Sequence, residues 1–369
     1  MMKLRQNSAQ MLAPALVLWA ILGFNQIAPA ADIAPTPYKI LATTQVPAAG
    51  GIDYVTADSV NRRVYVACGN AVSVFDLDTY KLAGTLPNAS GHGVSIDPDN
   101  HTGLVSGASA VYFNTQTLEP IKTIPARGAD GYVFDPATHR FFIGSHGAPN
   151  LLAVDSKDGS VIGTIEAIAP EGANAATEQC VSDGEGHLYC CVANAHHLAV
   201  VDSKALKVTG HFDLGDKGNG PAGLAIDTKN HILFAMCRGG NGGTPTCVIL
   251  SATDGKVIKT LPLAGRSDGG DFNPNTMEAF SSHGNGTLTV IKEKSPTEFE
   301  IAETVQTKSG GKTCTVDTKA NRVIVITREA APPALGAAPA TAPAPAPQAG
   351  GRNGRGGGPQ ILDVMFIGR

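Results

Sequence analysis

At 369 residues, with 43 glycines, 24 prolines and only 16% charged side chains, the chain reads as a soluble protein of short strands and tight turns. A formal charge of −4 with no concentrated basic face excludes nucleic acid as an expected partner, because a polyanion must be met by a cationic surface. Length alone admits either two average domains or one all-β ring of repeats.

In chain order, Lys3 and Arg5 precede an apolar run from Met11 to Phe24 and the small-residue triplet Ala28-Pro29-Ala30. This three-part plan predicts a secretory signal peptide over residues 1–30. The apolar run is shorter than the roughly 20 residues that a membrane span needs. The expected mature chain, 31–369, is therefore a periplasmic or secreted monomer with no membrane span. Its seven cysteines would meet an oxidising compartment, where disulfides persist. Cys180 and Cys190 flank one short turn and Cys237 and Cys247 bracket the next candidate hairpin loop, so each pair reads either as a disulfide or as buried thiols.

Seven segments then repeat one plan, an apolar strand, a polar turn and further apolar strands, at intervals of 38 to 48 residues. The turn residues are Asp58, Asp97, Asp135, Asp183, Asp227, Asn273 and Asp317, as in TADSVNRRVYVA and AIDTKNHILFAM. Asp and Asn suit the place because their side chains bond backbone amides two residues on. Third strands such as AVSVFD and LAVVDS follow, and then a polar turn and a fourth strand, as in SKDGSVIGTI. Four short strands per unit at this period predict an all-β fold, a seven-bladed β-propeller with four antiparallel strands per blade. The last unit lacks one strand, which residues 38–46 (YKILATTQV) can supply, so the N-terminal strand is expected to close the last blade. Closure of that kind removes exposed strand edges. The Pro-, Ala- and Gly-rich stretch 330–360 reads as a disordered insert in that blade, carrying Arg352 and Arg355.

The motifs RRVYVACGNAVSVFD, GPAGLAIDTKNHILFAMC and SSHGNGTLTVIKE resemble the YVTN-repeat propellers, the periplasmic YncE-like family, across essentially the whole mature chain. The resemblance implies a central channel and an exported binding or interaction role, with no agreed reaction. The chain is similar also to seven-bladed lactonases, although no catalytic set can be matched residue by residue.

Five places before each turn residue stand Asp53, His92, Asp130, Glu178, Ala222, Asp268 and Lys312. In a propeller these positions converge at one mouth of the channel. Asp53, His92, Asp130 and Glu178 come from consecutive blades and are expected to form an arc of three carboxylates and an imidazole. Such an arc needs protons, a cation or a positively charged ligand, since two charges at about 4 Å repel by about 4 kcal/mol at an effective dielectric of 20. A divalent cation is the candidate cofactor: Ca²⁺, Mg²⁺ or Mn²⁺ on the oxygens, or Zn²⁺ with the imidazole. The alternative is a hydrated hydrogen-bond network around a water-filled channel. Lys312, between Asp268 and Asp53, offsets part of the charge. Loops on the same mouth carry His146, His196, His197, Arg238 and His283, and with Arg127 and Arg266 they are candidates for holding an anionic or carbohydrate-like ligand. The expected function is an exported propeller that binds a small ligand, a metal or a protein partner at this mouth. The alternative is a metal-dependent lactonase-like hydrolase with His92 as general base. Phosphate-loop, nucleophile-elbow and zinc-helix motifs are absent from the sequence.

Overall fold

A computed structural model describes residues 36–126, 128–145, 150–170, 176–240, 242–331 and 359–369. The expected signal peptide, His146, Arg127, Arg352, Arg355 and nearly all of the low-complexity insert lie outside the described residues. Every regular element among them is a strand, and the strands form seven four-stranded antiparallel sheets. The inner strands of blades one to seven are Ile52–Asp58, Gly93–Asp97, Ala129–Asp135, Thr177–Ser182, Pro221–Asp227, Ser267–Asn273 and Cys314–Asp317. Each packs against the next and the last against the first, so the ring is closed.

Blade seven is completed as the sequence predicts. Lys39–Pro47 forms its outer strand beside Gln360–Gly368, which pairs with Arg322–Ala330. The pairing extends to Ala330 opposite Gln360, and the Ala331 amide donates to the Pro359 carbonyl at 2.8 Å, so the two flanks of the insert are bonded to each other. Tyr38, just ahead of the outer strand, donates to Glu278 of blade six at 2.7 Å, and Arg369 grips the same carboxylate.

Apolar residues alternate along the strands and meet between blades, where seven buried clusters fill seven interfaces. Phe142 and Leu151 of blade three, for instance, pack on Leu188 and Cys190 of blade four. All seven cysteines are buried free thiols. Cys180 and Cys190 stand opposite each other as expected, whereas Cys237 faces Thr246 and Cys247 faces Met236. Cys237 and Cys247 thus enter different blade interfaces, which rules out a bond between them. Cys190 and Cys191 likewise point to opposite faces, as strand alternation requires.

The turn carboxylates do more than close turns. Asp97 accepts from the amides of Asp99 and Asn100 and also from Ser156 Oγ of blade three at 2.5 Å. Asp135 accepts from Ser203 of blade four at 2.6 Å, and Asp317 holds the Arg62 guanidinium of blade one at 2.6 and 2.8 Å. Burial opposes ionisation of Asp97, but bonds from Ser156, Asn100 and His139 outweigh it and keep this carboxyl below the usual range. Four places after the turn residue the backbone turns left-handed in six blades: Arg62, His101, His139, His231, Met277 and Asn321 have φ between 49° and 60°. Asn and His tolerate that conformation better than most residues, which accounts for three of the ten histidines as turn formers.

At the blade five–six interface the latch differs. There the buried Glu293 carboxyl lies beside Asp227 and accepts from Asn230 Nδ2 at 2.7 Å. Burial pushes Glu293 up to about 7; the Asn230 bond opposes this and the Asp227 carboxylate reinforces it. A raised carboxyl binds its proton in the folded state, so its stabilisation is present below about pH 4.5 and is lost as pH rises through about 7. Glu293→Gln should remove that dependence. Urea melts across this window should show the parent losing on the order of 2 kcal/mol relative to the variant, and parallel curves would refute a protonated Glu293.

Candidate functional site

The residues five places before each turn do converge on one mouth of the channel. Reading around the ring, Asp130 lies 3.4 Å from His92 Nδ1, which is 2.7 Å from Asp53. The other Asp53 oxygen is 3.1 Å from Lys312 Nζ, which also holds Asp268 at 2.6 Å. Asp268 pairs with Arg238 at 2.5 Å, and Arg238 pairs with Glu178 at 2.9 Å. Blade five contributes only Ala222 at this level, and the guanidinium of Arg238 from the same blade spans the gap between Glu178 and Asp268.

This alternation of sign sets the local electrostatics. Burial works against the charges of Lys312 and Arg238, yet the flanking carboxylates hold both cations well above their usual values. In turn Lys312 and Arg238 keep Asp268 below the usual carboxylate range against the effect of its own burial. The Asp53 hydrogen bond, helped by Asp130, raises His92 despite desolvation. The expected uncompensated acidic arc is therefore corrected: the protein supplies the cations itself. Glu178 in particular leaves the predicted metal set. Asp53, His92 and Asp130 remain together, with one ligand atom from each within 4.8 Å of the others.

Directly below the ring the channel is blocked by side chains from several blades, where the alternative reading places a water-filled passage. Tyr54 of blade one reaches across to Glu178 of blade four at 3.4 Å, and Tyr132 of blade three meets Thr56 of blade one at 2.5 Å. The two phenol rings pack edge to face, 5.4 Å apart. Gln179 crosses from blade four to accept from the amides of Leu224 and Gly270 at 3.1 Å and to donate to the Gly270 carbonyl at 2.8 Å. Burial, reinforced by Glu178, Asp130 and Asp53, drives the Tyr54 phenol far above its normal value, so it is a neutral donor. Space for the plug comes from Gly93, where an added Cβ would lie 1.9 Å from the Tyr132 ring.

Register shifts explain how adjacent residues reach the same lumen. The inner strands of blades one, three, four, five and six each carry an irregularity at this height, between Ile52 and Val55 in blade one and between Thr177 and Cys180 in blade four, for example. A bulge breaks strict alternation and re-aims side chains. Asp53 and Tyr54, or Glu178 and Gln179, can then both face inward.

Above the plug a polar cup of 980 Å³ is walled by Asn194, Asn219, Arg238, Arg266, Asp268 and Lys312 among others. Arg266 is exposed, and its side chain makes no hydrogen bond or ion pair among the described residues. Of the loop candidates, Arg238 and Arg266 belong to this cup, together with the ring residues Asp268 and Lys312. His283 does not: it is fully buried inside blade six, its Nε2 bonded with Thr289 Oγ1 at 2.8 Å, and burial pushes it down to about 4. His196 sits at a left-handed turn with its carbonyl bound by Leu214, and His197 contacts the Ala195 carbonyl and packs edge to face with His211 on the outer strand. Neither His196 nor His197 is among the residues that wall the cup. Tyr54, Tyr132, Gln179, Asn194 and Asn219 were not picked out from sequence; for Tyr54 and Gln179 the available sign was a large residue at a level where Gly93, Gly131, Gly223 and Gly269 dominate.

Arg238→Ala should destabilise the fold by about 3 kcal/mol in urea denaturation, because two largely enclosed carboxylates lose their shared cation. Arg238→Lys should recover only part of this, since an ammonium cannot span both acids with a planar fork. A loss below about 0.5 kcal/mol, the level of an ordinary surface change, would show that the ring is not electrostatically coupled.

No family model matches the chain, and no curated protein matches it. Among solved structures it is similar to U3-55K, at a TM-score of 0.66 and 8% identity over 89% of this chain and 98% of that one. It is similar also to the RRP9 WD40 repeats, at 0.67 and 9% over 90% and 97%. A chain of the Mitotic Checkpoint Complex matches at 0.65 and 14% over 83% and 95%. At such identities the likeness is one of fold, and that fold is the seven-bladed β-propeller.

Proposed function

We propose that this chain is an exported binding propeller of the YVTN-repeat, YncE-like kind, which holds a small polar ligand bearing an anionic group in the cup above its blocked channel. The observation that carries the reading is Arg266: a guanidinium on the wall of a 980 Å³ cup, its side chain without a partner among the described residues, beside ring cations already committed to carboxylates. A guanidinium of this kind recognises carboxylate or phosphate by paired hydrogen bonds, and Asn194 and Asn219 add neutral polar groups to the same wall. The plug stops any ligand at this depth. Export rests on Lys3, Arg5, the Met11–Phe24 run and Ala28-Pro29-Ala30.

The hydrolase alternative loses its main support, since Glu178 is engaged by Arg238 and the arc no longer offers an uncompensated carboxylate set for a metal. A divalent cation on Asp53, His92 and Asp130 is a second reading, favoured by their close approach and opposed by Lys312 at 3.1 Å from Asp53. A protein partner seated on the mouth is the remaining form of the binding role.

The test uses the full-length protein expressed with its own leader, recovered outside the cytoplasm and weighed to locate cleavage near Ala30. Small molecules released on denaturation are then identified by mass spectrometry for the parent and for Arg266→Ala. The expected result is an anionic compound retained by the parent and reduced about tenfold or more in the variant, the loss of one charge-assisted contact. Equal retention by both proteins, or no anionic compound in the parent, would remove the reading.

A further inference from the structure

The plug divides the channel, and the half beyond it is a separate cavity. It has a volume of 460 Å³ and opens on the face that carries the turn residues. Ile96, Val133, Val181, Ile226 and Val316 give it apolar walls, and Tyr132 and Phe134 add aromatic surface. Its size falls within the range of small-molecule sites, about 300–1,000 Å³.

Hydroxyl side chains and two carboxylates, Asp58 and Asp271, interrupt these apolar walls, and Asp271 is the carboxylate nearer the plug. Two places before the turn residue, the inner strands carry Thr56, Ser95, Val133, Val181, Ala225, Asp271 and Thr315, so Asp271 is the single ionisable member of its tier. Its oxygens accept from the amides of Phe272 and Val316, each at 2.8 Å, and from Thr315 Oγ1 at 3.1 Å. No Lys, Arg or His among the described residues forms an ion pair with it. The carboxylate is therefore fixed in position by neutral donors, keeps acceptor capacity on Oδ1, and remains partly accessible from the cavity. In the mouth ring, by contrast, every carboxylate has a cationic or imidazole neighbour.

We infer that this second cavity binds a small organic ammonium ion, its cation on Asp271 and the rings of Tyr132 and Phe134, and its hydrocarbon part against the valine and isoleucine walls. A buried carboxylate with no counter-ion costs desolvation energy that an incoming cation offsets, and aromatic faces attract ammonium groups by their quadrupole. An anion or a neutral polar molecule gains neither. The titratable groups facing Asp271 are the Tyr132 phenol, raised by burial, and the Cys314 thiol, pushed up to about 12. Cys180, also raised, and Asp58, bonded to Asn61, lie further along the same cavity. Burial places Asp271 itself at about 6, so cation affinity should fall as pH drops through that value.

The cup takes no part in this binding. Benzylammonium, with benzyl alcohol as its neutral counterpart, is titrated into the full-length protein by calorimetry near neutral pH. Benzylammonium should bind at least about tenfold more tightly than the alcohol, and Asp271→Asn should abolish that preference. Val181→Phe, which fills the cavity and spares the carboxylate, should block both compounds, while Arg266→Ala should leave both unchanged. The pH profile of the unmodified protein provides a readout that requires no variant. Equal affinity for the two compounds, undiminished benzylammonium binding by Asp271→Asn, or no binding by the parent would overturn the inference.

Discussion

The hydrogen bond from one blade to the turn carboxylate of its neighbour is the interaction on which the rest of the molecule depends. Apolar packing between blades supplies most of the cohesion, but it is non-directional and would tolerate some slippage of one sheet on another. Bonds such as Ser156 to Asp97, Ser203 to Asp135 and Arg62 to Asp317 are directional and buried at the acceptor. They fix the heights of blades two, three and four against one another, and of blade seven against blade one. Once those heights agree, residues at one distance from the turn must meet at one level of the lumen, and a ring becomes the only outcome.

What meets at that level is a circuit and not an acidic arc. Four carboxylates, Lys312, Arg238 and His92 alternate so that each acid has a cationic or imidazole neighbour. Coulomb attraction between neighbours at an effective dielectric of about 20 is of the order of 4 kcal/mol at 4 Å, enough to offset much of the cost of partial burial. Protein groups thereby answer most of this acidic charge, three cations at most against four carboxylates. Specificity at the mouth passes to the groups outside it, of which Arg266 is the clearest.

The turn-residue repeat made the fold, the closing strand and the level of the ring legible, because each rests on spacing along the chain. Lys312 between Asp268 and Asp53 was legible for the same reason. The partner of Glu178 was not, since Arg238 arrives from a loop on the far side of the second strand of blade five and compensates for Ala222 by shape and not by position. The plug was hidden by the bulges: a period of two places Tyr54 and Gln179 on the face away from Asp53 and Glu178, and only the local register shift brings them inward. His283 was misplaced by a related error. The residue ends a strand, where a side chain can turn into the blade as readily as toward the loop, and Thr289 is there to receive it.

Blocking the channel with Tyr54, Tyr132 and Gln179 has a consequence for how one ring can serve two chemistries. These side chains join blade one to blades three and four, and blade four to blades five and six, so they brace the ring across its diameter as well as closing it. The mouth carboxylates have Lys312, Arg238 and His92 as neighbours, while Asp271 on the other side is bonded to backbone amides and the Thr315 hydroxyl. The two cavities therefore differ in the charged groups they offer, Arg266 with the ring in one and Asp58 and Asp271 in the other, although they are built from the same inner strands. The distinction lies in which residue occupies each tier, so substitutions in one tier can change what one face selects without disturbing the latches that keep the blades aligned.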